Sequence, residues 1–504
     1  MASSSDDNVT TDKQQSRKQF IPQLLAAFAA SISAFSMGTV EAYTSPGMPS
    51  MVESPKLGNI SSDDQTQIAA IALLAAVLSG PQVGFLVGRI GRKSVLAISA
   101  LPFVIGWLLI ASTTYFPMIY LGRFITGFCA GTASLIVPIY ISEISDDLHR
   151  GFLCSLFQLS STVGNFFVYV VGTVLDWQWL AFVCGLVPLV GLLFIAAVPS
   201  TPTYLLSKGS LDDALHSLMW LRGTKTPSDV QVELNAIQSN ILTCNEERKS
   251  YRDLFKLRTI RPLGICLWLL FFQQMTGIEV ILIFTVYIFQ SARVRMDPNI
   301  CTIIVGFVQI VATFMSALLV DKAGRRLLLI VSQLGVSVAM MALLIFFHYQ
   351  PDDESSNNYS LDWVPLTSVC IFMTFFSIGA GPIPFLMLTE LNSPAVIGLA
   401  SSVATTLTWT FAYLVTTFFM TIQSCIGIKW CFGLFCGMSL LGAGFVFVWV
   451  PETRAKSMEE IQNYFRKKGG HAKNIGGAGC PSSYHDESHN NNNNTGIIRS
   501  DVVT

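Results

Sequence analysis

The feature that most limits how this chain can fold is a series of twelve apolar segments, each long enough to cross a lipid bilayer. Lipid offers the backbone no hydrogen-bond partners, so a spanning segment of this kind has to be helical. The segments lie at about 20–42, 66–88, 95–114, 117–140, 152–174, 179–198, 263–289, 300–320, 327–347, 365–389, 397–422 and 430–450. The sequence therefore predicts an all-α membrane protein with twelve transmembrane helices.

Composition agrees with this and excludes several classes of protein. Hydrophobic residues make up 51% of the 504 residues and charged residues only 12%, about half the share in a soluble protein. A net charge of −1 gives no electrostatic reason to expect a nucleic-acid partner. The 11 cysteines contain no Cys-x-x-Cys pair, which argues against a disulfide framework and a zinc site. We therefore expect no metal and no cofactor.

Basic residues lie at alternate ends of the spans, and this sets the expected orientation. Arg89, Arg92 and Lys93 follow the second span, whereas the loop at 43–65 holds one lysine, Lys56. Positive residues are retained in the cytosol, so we expect both termini to be cytosolic. The plasma membrane is the expected location. The sequons at Asn59 and Asn358 then lie outside, where they can be glycosylated. The expected domains are a tail at 1–19, six-helix halves at 20–199 and 263–450, a helical linker at 200–262, and a tail at 451–504, disordered after about 469.

The two halves repeat short motifs. The string G-F-L-V-G-R-I-G-R-K at 84–93 returns as A-L-L-V-D-K-A-G-R-R at 317–326, and V-P-S-T-P at 198–202 returns as V-P-E-T-R at 450–454. Both offsets are roughly half the chain, as a duplication of six-span halves would produce. Two such repeats in a membrane, with a substrate path between them, are typical of a transporter.

Four further motifs carry a family resemblance. They are P-I-Y-I-S-E-I-S at 138–145, Q-Q-M-T-G at 273–277, G-P-I-P-F at 381–385 and P-E-T-R-A-K-S-M-E-E-I at 451–461. In this order and spacing the chain resembles the sugar porter family of the major facilitator superfamily over about 20–465. The segments at 42–46 and 157–172 look most like its insect facilitated trehalose transporter branch. The resemblance implies the major facilitator fold, with two pseudo-symmetric six-helix halves that move a neutral sugar by alternating access.

A neutral sugar needs amides that both donate and accept hydrogen bonds, and aromatic faces for its C–H side. The resemblance places such side chains at Gln158, Gln273, Gln274, Gln309, Phe385, Thr408 and Trp409. Gln309 stands where the family usually has asparagine, Phe385 where it usually has tryptophan, and Thr408 precedes Trp409 where Asn-Trp is common. The alternative is that a buried glutamine bonds a neighbouring helix, and that the aromatic rings belong to the core or face lipid.

Glu279 is the sharpest departure from the family pattern. It stands in the seventh span where the family carries a sugar-contacting asparagine, well inside the predicted bilayer. Three interpretations remain open: a protonated carboxyl that bonds a sugar hydroxyl, an ionised group in a wet cavity that coordinates a proton or cation, and a structural acid. Glu41, near the outer end of the first span, could share the same vestibule.

The resemblance also implies a gate and a set of latch residues. Gly381, Pro382 and Pro384 place helix breakers inside the tenth span, where a break can act as a hinge. The latch residues would form ion pairs at the cytosolic ends that break and reform as the halves rock: Arg89, Arg92, Glu143, Arg150, Asp321, Arg325, Glu390 and Glu452. The alternative is that they only set topology. Two acids and two bases of the family pattern are missing, at Gly88, Ser200, Thr203 and Ile397, so we expect fewer ion pairs in the latch than the family pattern has.

Nothing in the sequence indicates an enzyme. It contains no P-loop, no Gly-x-Ser-x-Gly motif and no His/Cys metal spacing, so we expect no catalytic residues. The expected function is facilitative uniport of trehalose or a hexose. Proton-coupled sugar symport, favoured by the intramembrane acids, and a non-transporting sugar sensor remain as alternatives. The expected partners are a small neutral sugar and the lipid bilayer.

Overall fold

A computed structural model describes residues 3–58, 60–146, 148–247, 257–350, 361–392 and 394–453. These residues form helices and connecting turns. The helices are α1 Ser3–Ala42, α2 Thr44–Glu53, α3 Ser62–Ile90, α4 Arg92–Ser112, α5 Phe116–Ile144, α6 Arg150–Val171, α7 Trp177–Ala197, α8 Pro202–Ser207, α9 Leu211–Arg222, α10 Ser228–Glu247, α11 Leu257–Met275, α12 Ile278–Ser291, α13 Pro298–Ala323, α14 Arg325–Tyr349, α15 Val364–Phe375, α16 Ile383–Leu391, α17 Pro394–Ile426 and α18 Ile428–Trp449.

Twelve segments of the described residues are long and apolar enough to cross a membrane, which confirms the all-α prediction. The N-terminal half consists of α1 and α3 to α7, and the C-terminal half of α11 to α18. Spans 7 and 10 each consist of two helices, α11 with α12 and α15 with α16. The predicted seventh span is present as Ile260–Ser291, and its break is a feature that the sequence analysis did not predict.

The break in span 7 lies at Gly277, whose φ of +83° belongs to the left-handed region. A side chain there is strained, which explains why the motif has glycine at this position. In span 10, α15 continues into a π-helical turn at Phe376–Ala380, and Gly381 and Pro382 separate this turn from α16. Both broken spans therefore expose backbone groups near the middle of the C-terminal half, where other polar groups have to satisfy them.

The repeated Gly-Arg strings form the same kind of turn in both halves. Gly91 ends α3 with φ +85°, and Gly324 ends α13 with φ +92°. A Cβ on Gly91 would lie 2.7 Å from the Tyr204 ring, and one on Gly324 would lie 3.0 Å from Glu452 Oε2. Each turn thus needs glycine both for its backbone angle and for the side chain packed against it.

The linker between the halves is helical, as α8, α9 and α10. Arg222, at the end of α9, donates from Nε to Glu233 Oε2 of α10 at 2.9 Å and from Nη1 to the Ile144 carbonyl at 3.0 Å. That carbonyl is the last of α5, so the arginine satisfies an otherwise unpaired helix end. The linker helices are in this way joined to the N-terminal half.

The halves pack against each other most extensively along two pairs of helices. Between α3 and α17, a Cβ on Gly80 would lie 2.3 Å from Thr406 Oγ1, and one on Gly84 would lie 3.2 Å from Ser402 Oγ. Between α6 and α13, a Cβ on Gly306 would lie 2.9 Å from the Tyr169 ring. Small residues thus let the backbones of the two halves approach closely, as is common where membrane helices pack.

Candidate functional site

The two adjacent glutamines of the seventh span, Gln273 and Gln274, lie in the last turn of α11, just before the break in that span. Both side chains are buried. Gln273 Nε2 donates to the Ala380 carbonyl at 2.8 Å and to the Gly381 carbonyl at 2.7 Å. Gln273 thus joins the break in span 7 to the break in span 10, and both of its N–H groups are used in doing so. Only its carbonyl oxygen is left for a ligand, so it serves as an acceptor rather than as the two-way amide expected from the sequence.

Four of the predicted site residues are among those that carry a buried acceptor atom with no hydrogen-bond donor in the described part of the chain. These atoms are the side-chain oxygens Gln273 Oε1, Gln274 Oε1, Gln309 Oε1 and Glu279 Oε2. A buried acceptor without a donor costs about 1–3 kcal/mol, so such atoms call for an external partner. Each of these four belongs to a residue that the family resemblance assigned to the sugar site. A ligand rich in O–H groups would supply what they lack.

Gln158 and Gln309 lie on helices from opposite halves that face each other. Their helices meet where the Thr162 and Thr313 hydroxyls approach to 3.5 Å. Gln158 is one turn from Thr162 on α6, and Gln309 is one turn from Thr313 on α13. The structure thus brings one predicted site residue from each half to the same helix pair.

The three remaining predicted site residues differ in their surroundings. Trp409 is buried and donates its indole N–H to Ser134 Oγ at 3.1 Å, a bond between α17 and α5 of the opposite half. The Thr408 hydroxyl donates to the Ala404 carbonyl of its own helix at 2.9 Å. Phe385, in the first turn of α16, is 40% exposed. Trp409 therefore contributes to contact between the halves, whereas Phe385 presents an open aromatic face.

Glu279 lies in the first turn of α12 and is buried. Its carboxylate interacts electrostatically with that of Glu41, on α1 of the other half. Glu41 Oε2 accepts a hydrogen bond from Ser161 Oγ at 3.4 Å. The two intramembrane acids that the sequence singled out are therefore neighbours across the interface between the halves.

The latch residues lie at the ends of the spans on the side where span 1 begins and span 12 ends, which we call the termini face. Arg92 pairs with Glu143 at 2.6 Å, and Arg325 pairs with Glu390 at 3.1 Å. Each of these pairs joins residues of one half. The Glu452 carboxylate accepts from the Arg325 N–H at 3.0 Å and from the Arg326 N–H at 3.1 Å, which caps α14.

The other three latch residues have separate environments. The Arg89 guanidinium lies over the Phe85 ring at 4.1 Å from its centroid. Arg150 is the first residue of α6, and its side chain is exposed. The side chain of Asp321 lies outside the described part of the chain, as do the sequon residues Asn59 and Asn358. Of the gate residues, Gly381 and Pro382 lie at the break itself, and Pro384 is buried in α16.

Arg123 is a buried polar residue that the sequence analysis did not single out. It is 1% exposed within α5 and donates to the Ile68 carbonyl at 3.3 Å, the Val40 carbonyl at 3.1 Å and Thr44 Oγ1 at 3.0 Å. It thereby joins α5 to α1, α2 and α3. An arginine inside an apolar span is rare, and this signal alone would have identified it.

Restoring one missing ion pair is expected to stabilise closure at the termini face. A Cβ on Gly88 meets nothing within 4 Å, and Ile397 begins the antiparallel span that packs on α3. Gly88→Asp with Ile397→Arg should favour the closed termini face by about 1 kcal/mol, because exposed pairs are worth no more. The measurement is the labelling rate of cysteines placed in the vestibule at the opposite face, which should rise.

The neutral pair Gly88→Asn with Ile397→Gln is the control, since it adds similar volume without charge. Equal labelling rates in the charged and neutral pairs would show that these two positions are not coupled.

Comparisons with known proteins agree on one family. The sequence model described as "Sugar (and other) transporter" matches residues 22–465. The chain is 37% identical over 447 residues to the "Facilitated trehalose transporter Tret1" of Culex quinquefasciatus, covering 87% of this chain and 85% of that relative. The Polypedilum vanderplanki protein of the same name is 37% identical over 448 residues, with 87% of each chain covered. A Drosophila grimshawi protein of that name is longer, and the chain spans 47% of it at 36% identity, with 87% of this chain covered.

Solved structures share the fold. One is the proton:xylose symporter XylE bound to 6-bromo-6-deoxy-D-glucose, with a TM-score of 0.74 and 24% identity, covering 88% of this chain and 99% of that chain. An inward-open XylE from E. coli has a TM-score of 0.70 at 22% identity, covering 87% and 98%. These similarities confirm the predicted major facilitator fold.

Proposed function

The chain belongs to the sugar transporter family, and from this premise we propose that it carries trehalose or a hexose across the plasma membrane by facilitative uniport. The two halves would alternate in giving the sugar access from each side, with the termini face in the cytosol. The sugar would cross without chemical change, and the proposal assigns no catalytic residue.

The observation that carries this proposal is the set of buried acceptor oxygens without donors on Gln273, Gln274, Gln309 and Glu279. A neutral sugar offers many hydroxyl donors and no charge, so it can satisfy such atoms on entry. The half-buried Gln158 adds an amide from the N-terminal half, and the open ring of Phe385 provides a face for C–H groups. Other transported solutes with few hydroxyls would leave the acceptors unpaired.

Gln273 also suggests how binding and movement are coupled. Its amino group holds the carbonyls of Ala380 and Gly381 while its oxygen remains free for the ligand. A sugar hydroxyl bound to that oxygen would therefore act on the helix breaks in spans 7 and 10 through one side chain. Each break can act as a hinge, because a small change in its backbone φ and ψ angles would rotate one part of the span relative to the other.

The test is uptake of labelled sugars into oocytes that express the protein, with trehalose, glucose and other hexoses compared at equal surface expression. We expect saturable uptake of trehalose, of hexoses, or of both, that a protonophore does not abolish. Sugar binding without uptake would instead indicate a sensor, and loss of uptake with a protonophore would indicate symport.

Proton coupling is the second candidate, favoured by the proximity of Glu279 to Glu41. A carboxyl group inside the membrane without a basic partner favours its protonated form, which can donate a hydrogen bond as an amide does. We predict that uptake in sodium-free buffer falls as pH rises between about 5 and 8, because the proton is lost. Glu279→Gln mimics the neutral acid, so it should retain uptake and flatten the pH profile.

Glu53→Gln is the matched control, because Glu53 is an exposed carboxylate at the end of α2. Identical pH profiles for the wild type and Glu279→Gln, both flat over that range, would show that protonation of Glu279 has no role in transport.

A further inference from the structure

Glu41 and Asn165 lie beside Glu279 of the proposed sugar site as one polar cluster, and sugar binding gives neither of these two residues a role. Glu41 lies one residue before the end of α1, and the residue as a whole is half-buried. Ser161 Oγ donates to it at 3.4 Å, and the Asn165 side chain, one turn further along α6, lies close to it. Both residues come from α6.

Close packing of α1 on α6 fixes this arrangement. A Cβ on Gly38 would lie 2.1 Å from the Ser161 carbonyl oxygen and 3.0 Å from Asn165 Oδ1. A Cβ on Gly164 would likewise lie 2.2 Å from the Phe35 carbonyl oxygen. Because the backbones are in contact on both sides, the Asn165 side chain has little freedom to turn away from Glu41.

A second observation indicates that the cluster lacks a ligand. The Asn165 side chain is 2% exposed, and its Oδ1 has no donor among the described residues. Glu279 Oε2, which approaches from the opposite half, also has none. The cluster thus presents unsatisfied oxygen atoms on both sides of the interface.

The charges in the cluster have one sign. Glu41 and Glu279 lie near enough for their charges to interact, where α1 contacts α12. Tyr169 of α6 donates its hydroxyl at 3.1 Å to the Leu282 carbonyl, which lies one turn after Glu279. Arg123 lies near the same end of α1, but it donates to neutral oxygens, namely the Ile68 and Val40 carbonyls and Thr44 Oγ1. Two carboxylates in a membrane interior need a positive charge when both are ionised.

We propose that Glu41, Glu279 and Asn165 bind one small cation between the two halves, either a sodium ion from solution or the ammonium group of an amino sugar. Carboxylate and amide oxygens are the ligands that hard cations prefer. The described residues contain no cluster of three or more His, Cys, Asp or Glu side chains, so this site depends on an amide and resembles no transition-metal centre. The proposal rests on the proposed function, because the bound cation would act on the closed arrangement of the two halves that also binds the sugar.

A bound cation would join the halves on this side of the membrane. With the cation present, one carboxylate from each half is attracted to it, and without the cation or a proton the two carboxylates repel each other. Cation and sugar would therefore favour the same closed arrangement, and each should raise the apparent affinity for the other.

The transport test uses the full chain in proteoliposomes, with uptake of labelled glucose or trehalose in sodium chloride and in choline chloride. If the cation is sodium, we expect the sugar affinity to be about tenfold tighter in sodium chloride than in choline chloride. This difference should be absent in Glu41→Gln and retained in Glu53→Gln. For an ammonium group, we expect glucosamine to compete about tenfold better than 2-deoxyglucose, with the difference absent in Glu41→Gln.

A second measurement does not depend on transport. The melting temperature of the purified protein in detergent should rise with sodium chloride or glucosamine relative to choline chloride, and the rise should be absent in Glu41→Gln and Asn165→Ala. If neither cation changes the sugar affinity or the melting temperature of the wild type, the cation site is wrong. Absence of uptake for every sugar, with the melting shift retained, would instead contradict the proposed function.

Discussion

Replacing Gln274 by alanine is expected to weaken sugar binding by about 1–3 kcal/mol, or about 5- to 150-fold, with little change in expression. The Gln274 side-chain oxygen is buried and has no donor among the described residues, so its removal breaks no hydrogen bond to that oxygen within the described part of the chain. A sugar hydroxyl that is desolvated on entry would lose its replacement partner.

Gln273→Ala should weaken binding by a similar amount and should also change turnover. Its amino group holds the Ala380 and Gly381 carbonyls, so alanine leaves the break in span 10 without these two bonds. The measurement is the KM and maximal rate of uptake at matched surface levels. Gln231→Ala, an exposed position on α10, is the control. Unaltered affinity in both site variants would remove the pair from the sugar site.

Gly277→Ala is expected to reduce transport more than tenfold and to lower the melting temperature. The residue has φ +83°, where a side chain costs about 1–2 kcal/mol. The added Cβ would also lie 2.6 Å from Phe435 Cδ2, an overlap that costs about 1–3 kcal/mol more. Both effects act on the junction of α11 and α12, directly between Gln274 and Glu279.

Two further variants separate the causes. Gly437→Ala places a methyl group on α18 where nothing lies within 4 Å, so it should behave as wild type. Gly277→Ala combined with Phe435→Leu relieves the overlap and should recover part of the stability, while the backbone strain remains. Wild-type transport by Gly277→Ala would show that the break in span 7 has no role in the cycle.

The twelve spans could be predicted because each is a long apolar segment in a chain with few charges. The interruption of span 10 could also be predicted, because Gly381 and Pro382 are adjacent helix breakers. Span 7 carried two isolated glycines, Gly264 and Gly277, without a neighbouring proline inside the predicted segment, and an isolated glycine is tolerated in a membrane helix. The conformation at Gly277 depends on the packing of Phe435 from α18, which periodicity in the sequence does not reveal.

The chemical nature of the site was accessible from residue types, but the roles within it were not. Gln273 was expected as a ligand-binding amide, and the structure shows its amino group committed to the backbone of span 10. Glu41 and Glu279 are separated by 238 positions in the sequence, and only the fold brings their carboxylates together. The ion-pair partners of Arg92 and Arg325 could not be predicted from the sequence either. The same charged residues could pair within one half or between the halves, and the structure shows both pairs within one half.

Counterflow in proteoliposomes tests the central claim, facilitative sugar transport by alternating access, most directly. Vesicles containing the purified protein are loaded with unlabelled trehalose or hexose and diluted into trace labelled sugar, with equal pH and equal ions on both sides. A carrier that exposes one site alternately to each face should transiently accumulate label above its equilibrium level, and Gln274→Ala should require more sugar for the same effect. Simple equilibration of the label without an overshoot, or no entry at all, would contradict the account.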